Sequence, residues 1–234
     1  MNIYNSKQWR DDLEKVLRFN PWINELAGKT VLITGMNGLV CSAIADILLQ
    51  YNETHKNPVV IVAAARSKKR IIDRFVKFVN KPYFIFIEYD ATKADIHIPF
   101  SIDYIIHGAS NSSPDRISIE PVETMISNFM GLHTLLKYAC ENNVLRLLYI
   151  SSSEVYGLRE GNELYTEEHY GYIELLNSRN SYAVGKRAAE TLCVSFADEF
   201  GIDSVITRPG HLYGPTALIT DRHVSSQWAY AAAR

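Results

Sequence analysis

The chain has 234 residues, of which 47% are hydrophobic and 21% are charged, and these fractions are ordinary for a globular protein. Its 24 basic and 26 acidic residues give a net charge of -2, so we expect neither nucleic acid nor an anionic membrane as a partner. No apolar run is long enough to cross a bilayer, and the first residues form no signal-peptide pattern. The three cysteines, Cys41, Cys140 and Cys193, lack metal-ligand spacing, which favours reduced thiols in the cytosol and no metal site.

The predicted elements alternate between helices and strands along almost the whole chain. The first is a short amphipathic helix over residues 6–19, because Trp9, Leu13, Val16 and Leu17 recur at helical spacing. Beyond it, short apolar runs predict strands and longer mixed segments predict helices. The predicted strands are 29–34, 58–64, 83–87, 103–107, 145–150 and 203–207. The other predicted helices are 39–50, 67–78, 122–141 and 182–200.

Short strands that are apolar almost throughout are typical of a parallel sheet covered by helices on both faces. With right-handed crossovers, such a chain forms an α/β fold with a doubly wound parallel sheet, which is Rossmann-like. No internal repeat and no Pro-, Gly- or Ser-rich linker divides the sequence. We therefore predict one cofactor-binding domain over residues 28–234, preceded by a helical lead-in over residues 1–27.

A turn with two glycines, TGMNGLVC at residues 34–41, follows the first predicted strand and opens directly into a helix. Gly35 suits the tight turn, and Gly38 lets the backbone come close to a pyrophosphate at the helix N-terminus. An ordinary turn with a helix cap is the alternative, but the position between the first strand and the first helix favours a dinucleotide. Cys41 replaces the third glycine of the pattern, so we expect slightly wider packing there. The expected cofactor contacts in this turn are Gly35, Asn37, Gly38 and Leu39.

Tyr182 and Lys186 are spaced i and i+4 in a predicted helix, so their side chains share a face. A neighbouring ammonium is expected to lower the pKa of the phenol from about 10, toward that of a useful general base. Tyr89 and Lys93 have the same spacing but lie at a strand end, where the two side chains do not face one another. On the residues alone, a half-buried tyrosine with a solvated lysine is an equal alternative for Tyr182 and Lys186.

Three serines at residues 151–153 follow a predicted central strand, at the edge where open α/β sheets bind ligands. A polar loop or a helix cap is the alternative. The glycine turn, SSSEVYG at 151–157, YAVGK at 182–186 and RPGHLYGP at 208–215 occur in the order and spacing of one family. From about residue 28 onward the chain resembles the extended short-chain dehydrogenase/reductases, the NAD-dependent nucleotide-sugar epimerase/dehydratase family.

The resemblance implies that a bound nucleotide sugar is oxidised transiently to a keto sugar. Tyr182 would take a proton from a sugar hydroxyl, Lys186 would hold the nicotinamide ribose, and Ser152 would bind the reacting oxygen. Glu154 is a further catalytic candidate, because Ser-Glu before Val-Tyr-Gly is similar to the UDP-glucuronate decarboxylases. Ser153 stands where the similar 4,6-dehydratases have aspartate, so decarboxylation or epimerisation is favoured over dehydration.

The resemblance also implies contacts with the cofactor and the substrate beyond the glycine turn. The implied cofactor contacts are Asp90, Ala91, Gly108, Ala109, Ser110, Asn128, Tyr182, Lys186 and Pro209. The implied substrate contacts are Ser152, Ser153 and His211. Of these, His211 departs from the pattern, because many members have an asparagine there.

Arg66 and Ser67 follow the second predicted strand, where an NAD site usually has an acid that binds the ribose hydroxyls. They can instead bind a 2′-phosphate, or they can be solvated residues at the start of a helix. The expected cofactor is therefore NAD(P), with a slight preference for NADP.

The resemblance further implies a homodimer and a smaller C-terminal domain that holds the substrate nucleotide, most of which we expect to be missing here. Two other functions stay open, namely an NADP-dependent reductase of a small carbonyl compound and a non-catalytic NAD(P)-binding protein. The set of Ser152, Tyr182 and Lys186 argues against the second, since a protein that only binds the cofactor does not need all three.

Overall fold

Six parallel strands form one central sheet. The computed structural model describes residues 3–158, 161–162, 164–217 and 224–232. The strands are β1 (Thr30–Thr34), β2 (Val60–Ala65), β3 (Phe84–Glu88), β4 (Tyr104–His107), β5 (Arg146–Ile150) and β6 (Ser204–Thr207). Their order across the sheet is β3-β2-β1-β4-β5-β6. Because the order reverses at β1, the sheet is doubly wound, and the predicted fold class is confirmed.

Helices cover the sheet and lie in every connection between strands except that from β3 to β4. They are α1 (Lys7–Phe19), α2 (Leu39–Thr54), α3 (Lys68–Arg74), α4 (Pro114–Ile119), α5 (Pro121–Glu141), α6 (Ser181–Phe200) and α7 (Val224–Ala232). Short 3-10 helices occupy Ile3–Asn5, Pro21–Leu26, Ser153–Tyr156 and Ser178–Asn180. None of the helices in the described part of the chain is long and apolar enough to span a bilayer.

Most predicted elements lie where the structure has them, but the helix predicted over residues 67–78 was too long. It ends at Arg74, because the backbone of Phe75 leaves the helical region and the Phe78 amide then donates to the Phe75 carbonyl in a tight turn. Helix α4 was not predicted, since its six residues are too few to show a helical period.

The apolar core lies on both faces of the sheet. Consecutive residues of β1 point to opposite sides: Val31 and Ile33 pack on one cluster, which includes α2 and α3, and Leu32 packs on the other, which includes α5 and α6. All three side chains are at most 1% exposed. Burial on both faces explains why the strands are apolar almost throughout.

A buried carboxylate on α2 holds the N-terminal helices against the sheet domain. Asp46 accepts hydrogen bonds from the Tyr4 hydroxyl at 2.6 Å and from the Trp9 indole N–H at 3.0 Å. It also forms an ion pair with Arg74 of α3 at 2.5 Å. Burial raises the pKa of Asp46, even though Arg74, Tyr4 and Trp9 each act to lower it. One carboxylate therefore links the lead-in, α2 and α3.

Candidate active site

The carboxyl ends of the strands bring the predicted site segments together at one edge of the sheet. A Cβ atom built on Gly35, after β1, would lie 2.6 Å from the carbonyl oxygen of Gly108, after β4. The Ser153 amide, after β5, donates to the Pro209 carbonyl, after β6, at 2.9 Å. The glycine turn and the loops after β4, β5 and β6 thus surround one position, as expected for an open α/β sheet.

The glycine turn leaves the N-terminus of α2 open. Gly35 has a φ of +68° and is packed against the backbone of Gly108, so only glycine fits there. Gly38 is the N-cap residue of α2, and no side chain of the described residues caps the helix. A Cβ atom built on Gly38 would meet only the Gly35 carbonyl oxygen, at 3.2 Å. The N-terminus of this 16-residue helix, with glycine as its N-cap, therefore suits an anionic group.

Cys41 fills space that Gly108 leaves empty. Its Sγ atom lies 2.4 Å from the position that a Cβ atom on Gly108 would take. The thiol is buried, and burial raises its pKa to about 12. The cysteine that replaces the third glycine of the turn thus packs directly on the loop after β4.

Tyr182 and Ser152 meet at the centre of this edge. Ser152, in the loop after β5, lies close enough to Tyr182, in the first turn of α6, for its hydroxyl to act on the phenol. Tyr182 is only 7% exposed. Burial raises the pKa of its phenol, the charge of Glu154 raises it further, and the hydrogen bond with Ser152 lowers it in part.

Lys186 lies beneath Tyr182, and here one expectation was wrong. We expected its ammonium to lower the pKa of Tyr182, but Lys186 Nζ donates to the Ile150 carbonyl at 2.7 Å and lies 5.7 Å from the Tyr182 ring centre. Burial lowers the pKa of Lys186 itself to about 7, against the opposing effects of Cys41, Glu190 and Cys193. A lysine that is only partly charged near neutral pH has little effect on the phenol, whose pKa is raised.

Buried polar atoms without partners support a cofactor site next to these residues. Among the described residues, Ser110 Oγ and Asn128 Oδ1 are buried and lack a hydrogen-bond partner. Asn128 of α5 lies against Gly185 of α6, between Tyr182 and Lys186. Unsatisfied buried groups are costly, so their presence beside an open glycine turn fits a polar ligand that supplies the missing bonds. The residues present therefore fit a dinucleotide.

The other cofactor candidates lie at the ends of β2 and β3. The Arg66 guanidinium forms an ion pair with Glu123 of α5 at 2.9 Å. The Ser67 hydroxyl caps α3 by accepting from the Arg70 amide at 3.4 Å. Ala91 packs against Gly131, where a Cβ atom would lie 2.8 Å from that of Ala91. Both residues that favoured NADP therefore already have partners within the chain.

The substrate candidates lie on the outer side of the same edge. Glu154 is exposed, but its charge reaches the phenol of Tyr182. His211 is exposed in the loop after β6, and Ser153 is partly buried and bonded to that loop through its amide. In the part of the chain that the structure describes, no group of three or more His, Cys, Asp or Glu side chains is arranged to hold a metal ion.

A buried ion pair next to the site was not predicted as part of it. Glu190, one turn after Lys186 on α6, accepts from the Ser151 hydroxyl at 2.5 Å and pairs with Arg208 at 2.7 Å. Arg208 also donates to the Glu167 carbonyl at 2.8 Å. The pair therefore connects the serine segment, α6 and the loop after β6. Arg208 opens the segment at 208–215 that carries the family resemblance, and that position was the only signal in the sequence.

Comparison with known proteins agrees with this geometry. The sequence matches the NAD dependent epimerase/dehydratase family over residues 31–234. It is 30% identical over 207 residues to UDP-glucuronic acid decarboxylase 1 of Xenopus tropicalis. The aligned region covers 88% of this chain and 47% of that protein. It is 32% identical over 204 residues to UDP-glucuronic acid decarboxylase 6 of Arabidopsis thaliana, covering 87% of this chain and 57% of that protein. The chain thus spans about half the length of these curated relatives.

Solved structures share the fold. The UDP-N-acetylglucosamine 4-epimerase of Methanobrevibacter ruminantium M1 superposes with a TM-score of 0.72 at 23% identity, over 88% of this chain and 63% of that one. The UDP-glucuronic acid 4-epimerase of Bacillus cereus, solved in complex with NAD, has a TM-score of 0.61 at 23% identity, over 81% of this chain and 59% of that one. With the sequence match over residues 31–234, we conclude that the chain belongs to the NAD dependent epimerase/dehydratase family.

Proposed function

We propose that this chain carries the cofactor site and the catalytic residues of an enzyme that modifies nucleotide sugars through a transient keto sugar. The observation that carries the proposal is the proximity of Ser152 to the buried Tyr182, at the sheet edge beside the N-terminus of α2. The relatives named UDP-glucuronic acid decarboxylase support a sugar nucleotide as the substrate.

Each residue has a separate part in this reaction. NAD bound at this site would supply reversible hydride transfer from and to the sugar carbon. Tyr182 accepts the proton of the sugar hydroxyl, and Ser152 holds the oxygen from which that proton leaves. The N-terminus of α2 binds the pyrophosphate, while Ser110 and Asn128 supply polar groups near the ribose or the nicotinamide. Lys186 lies below them with a pKa of about 7, so it can exchange a proton near neutral pH.

The fate of the keto sugar depends on the groups around it. Glu154 is exposed at the outer side of the site, within electrostatic range of Tyr182, and can donate or accept a proton there. Ser153, which replaces the aspartate typical of 4,6-dehydratases, has no acidic proton for the loss of water. We therefore favour decarboxylation or epimerisation, with Ser152, Ser153 and His211 as substrate contacts.

The direct test uses the protein at its full natural length and a panel of UDP-, dTDP-, GDP- and CDP-sugars. We expect mass spectrometry to show loss of carbon dioxide from a sugar acid, or chromatography to show an epimer of unchanged mass. No net consumption of NAD should accompany either product. Steady oxidation of NADPH with a small ketone would identify a reductase instead. Tight NAD binding with no turnover of any substrate would identify a non-catalytic binding protein.

The cofactor assignment predicts that Gly38→Val abolishes binding of NAD. The valine side chain would occupy the space in front of the α2 amides, whereas only the Gly35 carbonyl oxygen lies near the new Cβ atom. We expect the NAD affinity to fall at least about 100-fold, because a few charge-assisted hydrogen bonds to the pyrophosphate would be lost. Isothermal titration calorimetry measures the affinity.

Gly38→Ala is the matched control for this measurement. It replaces the same N-cap glycine but adds only one carbon, and we expect it to lower the stability of the fold by about 1 kcal/mol or less. An intermediate affinity is expected, with a melting temperature close to that of Gly38→Val. Unchanged NAD affinity in Gly38→Val would remove the glycine turn from the cofactor site.

We also propose that the protein is a homodimer that pairs through α5 and α6. Met125, Ile126 and Phe129 of α5 are each between 37% and 40% exposed, and they line an apolar hollow of about 260 Å³ with Gly185 and Ala188 of α6. An apolar patch on two adjacent helices is typical of an interface, and a second copy presents the same patch about a twofold axis.

The dimer predicts that Ile126→Glu yields a monomer of 26.6 kDa, while the unmodified chain has twice that mass. The reason is that a new charge would be buried without a partner in the interface. Light scattering coupled to size-exclusion chromatography measures both masses. Phe19→Glu is the control, since Phe19 is 65% exposed on α1, away from this patch. A monomeric parent chain would refute the proposed dimer.

Two further proposals concern the setting of the domain. Free thiols at Cys41, Cys140 and Cys193 are typical of a reducing compartment, so we place the protein in the cytosol. We also propose that the cofactor-binding domain begins at residue 28 and that residues 1–27 form a helical segment added to it.

A further inference from the structure

Arg66 is the first residue after β2, at the position that contacts the adenosine ribose in doubly wound folds. An acid at this position accepts both ribose hydroxyls of NAD, and an arginine binds the 2′-phosphate of NADP. The chain has no acid at this place, so an unpaired Arg66 would favour NADP.

Arg66 is not unpaired. Its Nη1 atom lies 2.9 Å from Oε1 of Glu123, in the first turn of α5 and 57 residues further along the chain. The side chain of Arg66 is 60% exposed and that of Glu123 is 35% exposed, so both face the solvent that a bound nucleotide would replace. The guanidinium of Arg66 is therefore paired with the carboxylate of Glu123 on α5.

The charge of Arg66 also reaches a second carboxylate, that of Asp90. Burial raises the pKa of Asp90, but hydrogen bonds from Thr92 and the charges of Arg66 and Lys93 outweigh it, so the pKa is lowered. Arg66 thus interacts with both Glu123 and Asp90. A 2′-phosphate with nearly two negative charges would have to compete for the guanidinium and would be repelled by both carboxylates.

We infer that Glu123 is a specificity-determining residue, which favours NAD over NADP by holding Arg66 and by adding a negative charge beside it. Ribose hydroxyls, unlike a phosphate, can donate hydrogen bonds to a carboxylate, so the Arg66–Glu123 pair suits the unphosphorylated ribose. The inference rests on the proposed binding of NAD(P) by this chain.

The test measures the dissociation constants of NAD and NADP by calorimetry for the parent chain, Glu123→Gln, Arg66→Ala and the double variant. We expect Glu123→Gln to lower the dissociation constant of NADP relative to that of NAD by about three- to tenfold. A change of this size is expected when the repulsion from one exposed charge is removed. Arg66→Ala should weaken NADP and leave NAD nearly unchanged. The double variant should bind NADP more tightly than Arg66→Ala does, because it also lacks the repulsion between Glu123 and the 2′-phosphate.

Glu120→Gln is the matched control. Glu120 also lies at the start of α5 and carries the same charge, but it pairs with Arg116. Its replacement should leave the ratio of the two dissociation constants within about twofold, since Glu120 is paired with Arg116 and does not hold Arg66. An unchanged ratio in Glu123→Gln, with both dinucleotides bound, would overturn this inference alone. Absence of binding to the parent chain would overturn the proposed function and the inference with it.

Discussion

Replacement of Tyr182 by phenylalanine should abolish oxidation of the sugar while NAD affinity stays within about twofold of its original value. The change removes one hydroxyl, which lies near Ser152 and is the group that we assign to accept the substrate proton. General-base catalysis contributes about 10²- to 10⁴-fold, so we expect kcat/KM to fall by about that factor. Because burial and Glu154 raise the pKa of Tyr182, the activity of the parent enzyme should increase with pH above neutrality.

Tyr89→Phe is the matched control for this prediction. Tyr89 is also buried and also has a lysine four residues later, but its hydroxyl donates to the Gly131 carbonyl at 3.0 Å. Its replacement should cost about 1 kcal/mol of stability and leave turnover unchanged. Full activity in Tyr182→Phe, assayed in the protein at its full natural length, would show that another group takes the proton.

Replacement of Glu190 by alanine should cause the largest loss of stability among the polar residues of the site. Glu190 and Arg208 are 8% and 12% exposed, so the variant leaves a guanidinium in a largely buried place without its carboxylate. The Ser151 hydroxyl loses its acceptor as well. Removal of one partner of a buried pair costs about 3–5 kcal/mol. Calorimetric unfolding should show a decrease in melting temperature of about 6–20 °C for a chain of this size.

The ion pair of Arg146 and Asp203 provides the comparison. It also joins β5 and β6, with a distance of 2.5 Å, but its side chains are 57% and 48% exposed. Asp203→Ala should therefore shift the melting temperature only slightly, because exposed pairs are solvated and screened. Similar shifts in Glu190→Ala and Asp203→Ala would contradict the role assigned to burial.

The strands and the pairing of Ser152 with Tyr182 could be predicted, since both depend on short sequence patterns. Apolar runs such as that of β1 identify strands buried on both faces, and the order of the motifs places the serines and Tyr182 at the same sheet edge. The state of Lys186 could not be predicted in this way. Its pKa follows from burial beneath Tyr182, and the spacing of residues along a helix does not reveal burial.

The partners of Arg66 and Arg208 were hidden for a different reason. Glu123 lies 57 residues from Arg66, and Glu190 lies 18 residues from Arg208. A single sequence does not indicate which carboxylate the chain folds against a given arginine. The preference for NADP was accordingly based on Arg66 and Ser67 as free residues, whereas the fold gives each of them a partner.

The contact of Cys41 with Gly108 makes these two positions interdependent in evolution. The thiol occupies the volume that any side chain at position 108 would need. A larger residue at 108 can therefore be accepted only if position 41 becomes smaller, and a glycine at 41 would leave a void over Gly108. Among related sequences, the sizes of these two residues should vary inversely, although they stand 67 positions apart on either side of β2 and β3.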